Sequence, residues 1–134
     1  MMAAMSLKDA MQAYLMGGME WSQAMMGLVR FFGRAAYQGD PDLAERVVRP
    51  IARVMREAMQ EILTQAQARW EIRPEVDIAA AARAVNALMI AVGDSQLLPY
   101  LNNYFQVTDK KVSFERVSNT LLDLIQHGIA AEAK

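Results

Sequence analysis

Ala68-Arg-Trp-Glu-Ile-Arg-Pro-Glu-Val-Asp77, followed by Ile-Ala-Ala-Ala-Ala-Arg-Ala-Val-Asn-Ala-Leu from Ile78 to Leu88, decides how this chain folds. Pro74 pushes Arg73 away from the α region, so the helix before it must finish first. Asp77 is placed to accept hydrogen bonds from the free amides of a new helix. That helix is apolar nearly all round from Ala84 to Gly93, with Asn86 as the polar exception. A helix without a polar face must be covered on most sides. The stretch therefore reads as helix, rigid elbow and central helix of an all-α bundle.

Upstream of the elbow, Leu7, Met11, Tyr14 and Leu15 share a helical face, as do Leu28, Phe31, Phe32 and Ala35. A helical region from about Leu7 to Tyr37 is expected, broken at Gly17-Gly18 or near Gly27, because glycine is costly inside a helix. Asp40-Pro41-Asp42 restarts the helix: a cap, a proline at the first position and an acid against the dipole. Pro50 removes an amide and crowds the carbonyl of Arg46, so a short helix and then a longer one should run to Trp70. The longer one carries Ile51, Val54, Met55, Ala58, Met59, Ile62 and Ala66 as an apolar stripe.

Downstream, Pro99 should end or kink the central helix, with Tyr100–Gln106 carrying helix a little further. Ser113 is an N-cap for a last helix in which Phe114, Val117, Leu121, Leu124 and Gly128 follow spacings of three and four. Leu122, Ile125 and Ile129 widen that stripe until it needs two surfaces to pack against. The expected fold is a bundle of five to seven helices in one domain over residues 1–134.

Composition narrows the function classes. Hydrophobic residues make up 54% and charged residues 22% of the 134, which excludes a disordered chain. Fourteen basic and fifteen acidic residues nearly cancel, so broad electrostatic binding to nucleic acid is not expected. There is no cysteine and one histidine, His127, which leaves no metal-ligand cluster and no thiolate chemistry. No unbroken apolar run approaches the roughly 18 residues of a membrane span. The opening Met-Met-Ala-Ala-Met-Ser has no basic residue and is not read as a signal peptide. No catalytic motif, cofactor loop or metal site is expected, and a cytoplasmic location fits. The Arg46-Arg49-Arg53-Arg56 row is diluted by Glu45, Glu57 and Glu61 and reads as a solvated face.

The elbow and its neighbours resemble the effector-binding half of the tetracycline-repressor (TetR) family of transcriptional regulators. The Asp40-Pro41-Asp42-Leu43 restart, the long helix, the Arg-Pro-x-x-Asp elbow, the Ala-rich helix and the closing Leu-Leu-Asp-Leu-Ile-Gln-His-Gly-Ile stand in the family's order. The resemblance implies that the last two long helices, Ile78–Leu98 and Phe114–Ile129, form a four-helix bundle with those of a second chain. Phe114, Val117, Leu121, Leu122, Ile125, Gly128 and Ile129 would be its interface in a homodimer. It also implies a cavity for a small hydrophobic effector among the preceding helices. Trp21, Met25, Phe32, Met55, Met59 and Met89 would be its apolar wall and Asn86 its polar contact. The family's N-terminal helix-turn-helix head has no counterpart before Leu7, so DNA would be reached only through a head outside this sequence. Trp70 stands where the family elbow usually has glycine.

Two readings remain open on the residues themselves. The eleven methionines read first as flexible core filler, with an adaptable binding wall as the alternative. Asn86 can be satisfied by a backbone carbonyl, a partner chain or a ligand. The alternative to a ligand domain is a stand-alone helical interaction module with a filled core.

Overall fold

The computed structural model describes residues 5–131. Met1–Ala4, which begin the stretch read as lacking a leader, and Glu132–Lys134 lie outside the described residues. Helices α1 (Leu7–Ala24) and α2 (Met26–Tyr37) are followed by the short α3 (Pro41–Leu43), a π-helical turn (Ala44–Val48) and α4 (Arg49–Ala68). Then come α5 (Ile78–Leu97), α6 (Pro99–Phe105) and α7 (Phe114–Ile129), an all-α bundle.

Each start has a sequence cause. The Asp40 side chain accepts from the amides of Asp42 and Leu43, Asp77 from Ala80 and Ser113 from Arg116. The restart before Pro50 is smoother than the sequence suggests. The amide of Arg49 bonds five residues back to the carbonyl of Ala44, and this widened turn accommodates a proline that has no amide of its own. In the first helical region, α1 runs unbroken through Gly17 and Gly18. The break falls at Met25 (φ −118°, ψ 39°), two residues before Gly27.

The elbow is where four helix ends meet. α4 closes with the amide of Glu71 on the carbonyl of Ala66 (2.9 Å) and that of Trp70 on Gln67 (3.0 Å). This paired closure places Trp70 in the left-handed region at φ 64°. The Gln67 side chain donates to the carbonyls of Arg73 and Val76, both at 3.2 Å, holding the turn to α4. Glu71 accepts from the first amide of α1, Leu7 (3.1 Å), and pairs with Arg69 (2.7 Å). Arg73 donates from its guanidinium to the carbonyl of Gly128 (2.6 Å) and from its amide to Ile129 (3.1 Å), at the electronegative end of α7. An isolated bridge between Ile72 and Ala130 completes the clasp.

The core lies between α1, α4, α5 and α7. Leu7, Met59, Leu63 and Ile72 are its largest fully buried side chains, joined by Met11, Val85, Met89, Leu121, Leu122 and Ile125. α5 is central. By length and composition alone it is apolar enough to cross a membrane, over 20 residues, but here it is packed by α1, α4, α6 and α7.

Candidate functional site

Tyr14 links three helices at one point. Its hydroxyl donates to Asn86 Oδ1 on α5 (3.0 Å) and lies 3.5 Å from the carbonyl of Met55 on α4. The carbonyl oxygen of Asn86, a residue only 8% exposed, is thus paired with a side chain of its own chain. Sequence reasoning missed that partner, although Tyr14 carries the one polar side-chain atom on the Leu7-Met11-Tyr14-Leu15 face. Burial raises the Tyr14 pKa, so the hydroxyl keeps the proton it donates.

Beyond Tyr14 the same side of α1 is uncovered. A Cβ added at Gly17 or Gly18 would meet nothing within 4 Å. Trp21 is 58% exposed and Met25 39%. α1 and α4 run antiparallel, because Leu7 meets Glu71 after α4 and Tyr14 meets Met55 within it. The bare part of α1 therefore runs alongside the start of α4, where Ile51 is 47% exposed and Met55 half-buried. The result is a patch of exposed apolar side chains on α1 and the start of α4, bordered by the Tyr14–Asn86 pair.

The residues expected to line a cavity divide accordingly. Met59 and Met89 belong to the core, Asn86 and Met55 meet the Tyr14 hydroxyl, and Phe32 is half-buried on α2. Trp21 and Met25 are 58% and 39% exposed, so neither is enclosed within one chain.

The second surface is built by α5 and α7. Leu122 and Ile125 point into the chain's own core, while Phe114, Val117 and Ile129 are partly buried against it and Gly128 is exposed. Leu124 is 67% exposed. Val92, Val112, Val117, Leu121 and Leu124, with Arg116 and Thr120, line an open groove of about 350 Å³. Leu88, one turn before Val92 on α5, extends this apolar strip.

A further polar pair lies at the far end of α5, where the sequence pointed to no site. Tyr37 on α2 donates to Asp94 Oδ2 at 2.6 Å. Desolvation raises the Asp94 pKa, and the Tyr37 hydrogen bond partly offsets that rise. Burial and then the Asp94 carboxylate raise the Tyr37 pKa. His127 is exposed, its Nδ1 2.8 Å from the carbonyl of Asp123 on its own helix. Among the described residues, no group of three or more histidines and carboxylates is placed to hold a metal.

Against known families, residues 6–92 match the model described as the tetracyclin repressor-like C-terminal domain. The match takes in well over half of the chain, from the cap of α1 into the last third of α5. The chain belongs to this family. It is a TetR-like transcription-regulator domain, and the elbow, the Asp40 restart and the Ala-rich helix that suggested it lie within the matched span. No curated protein matches the chain, and no solved structure does.

Proposed function

We propose that the chain is the regulatory domain of a TetR-like regulator, binding a small, mostly apolar effector and pairing with a second copy of itself. The observation that carries the ligand reading is the exposed apolar patch of Trp21, Met25 and Ile51 beside the buried Tyr14–Asn86 pair, with open space at Gly17 and Gly18. Thioether and aromatic side chains at Met55, Met25 and Trp21 adapt to varied apolar shapes at low cost. Phe32, Met59 and Met89 would join that wall as the helices part around a ligand. Pairing is supported by the exposed Leu88 and Leu124 and by the open groove between them that Val92 and Val117 help to line. DNA would be reached through a helix-turn-helix head outside these residues, in the cytoplasm, with no cofactor and no catalytic step.

The full burial of Met59 and Met89 favours a second reading, a helical pairing module with a filled core and no ligand. A thermal-shift screen of small apolar compounds separates the two, since a ligand bound only to the folded state raises the melting temperature. The ligand reading expects hits whose effect disappears in Met55→Ala and Asn86→Ala while self-association is retained. Hits that persist in both variants would place binding elsewhere, and a screen without hits leaves the filled-core module.

A further inference from the structure

The main core contains no residue of α2. The helix buries only Gly33 and Ala35, while Leu28 (53%), Phe31 (44%) and Tyr37 (43%) stay exposed. Both ends of α2 are backbone irregularities. Met25 at its start has φ −118° and ψ 39° with no side-chain cap, and Gly39 just after its end has φ 76°, a conformation that favours glycine. Beyond its packing on the π turn and α1, α2 is fastened to the end of α5 at two points. One is the Tyr37–Asp94 hydrogen bond of 2.6 Å. The other is a notch at Gly33, where an added Cβ would lie 2.6 Å from Leu98 Cδ1. At this end, Leu98 and Met19 are buried although they stand outside the main core cluster, and Met19 Sδ is 3.8 Å from a Cβ placed on Gly93.

We propose that α2 is a strap hinged at Met25 and Gly39 and latched by Tyr37–Asp94 and by Leu98 seated at Gly33, which opens while the α1–α4–α5–α7 core stays folded. The strap closes over Leu98 at the end of α5, and its hinge at Met25 adjoins the exposed end of α1. It is a property of the chain whether or not a ligand enters beside it. A helix that buries only small residues contributes little apolar area to hold itself down, so local opening lies well below global unfolding in free energy.

Hydrogen exchange of the full chain, resolved by peptide mass, tests this. Peptides from 26–37 should exchange faster than those from 82–92. Tyr37→Phe should speed exchange in 26–37 by about tenfold, the worth of a hydrogen bond to a carboxylate, and leave 82–92 unchanged. Tyr37 is substantially exposed, so this variant keeps its fold. Gly33→Ala supplies an independent sign. Alanine favours an isolated helix, yet its methyl must displace Leu98, so 26–37 should again exchange faster. An unchanged rate in Tyr37→Phe, a rise spread equally over 82–92, or slower exchange in Gly33→Ala would each overturn the strap.

Discussion

Trp70 adopts φ 64° while its side chain is 75% exposed. A left-handed conformation costs an L-residue roughly 1–2 kcal/mol, and glycine is free of that cost. Little buried area repays it here. Trp70→Gly should therefore raise stability by about 0.5–1 kcal/mol, after allowing for the greater freedom glycine gives the unfolded chain. Urea denaturation measures this directly, and a loss of stability would mean the indole is held by contacts of its own. Ser118 is a second residue at odds with its surroundings. Its Oγ is the buried side-chain oxygen without a hydrogen-bond partner among the described residues. Asn86 is the contrary case: its carbonyl oxygen is paired, and the partner could not be read from sequence because Tyr14 lies 72 positions away.

At the scale of elements, the α2–α5 fastening carries a pH signature. Asp94 has its pKa raised in the folded state, so the stability it contributes is complete below the unfolded value of 3.8 and is lost as pH rises through the folded value. Tyr37, also raised, contributes stability that is present below 10.0 and lost only above it. In melting temperatures measured from pH 3.8 upward, the wild-type chain should lose stability relative to Asp94→Asn over the window just above 3.8. Parallel curves would contradict the burial of that carboxylate. The helix starts were legible because Asp40, Asp77 and Ser113 are local signals, and so was the elbow, because Pro74 acts on its neighbour. A break after α1 was legible from its glycines, but not its place: α1 tolerates Gly17 and Gly18 and yields at Met25, two residues before Gly27. The π turn was hidden, since Pro50 signals trouble for the hydrogen-bond ladder without saying how the backbone resolves it. Of the candidate site, Met55 and Asn86 were legible as positions on helix faces. How Trp21 and Met25 stand depends on the direction α2 takes, a property of tertiary packing that periodicity does not carry.

At the scale of the whole molecule, the elbow gathers the ends of α1, α4, α5 and α7 into one clasp. Away from that clasp, α2 lies on the π turn before α4, flanked by the irregular Met25 and Gly39. The α5–α7 face exposes Leu88 and Leu124 beside an open groove. Of its side chains, Leu124 is the most exposed and so the most informative to change. Sedimentation equilibrium of the wild-type chain beside Leu124→Asp tests the pairing at the centre of this account. It predicts twice the chain mass for the wild type and a folded single chain for Leu124→Asp, with unchanged helical circular dichroism. A wild-type chain that stays monomeric at tens of micromolar, within the usual range for specific self-association, or a Leu124→Asp chain that remains paired, would contradict it.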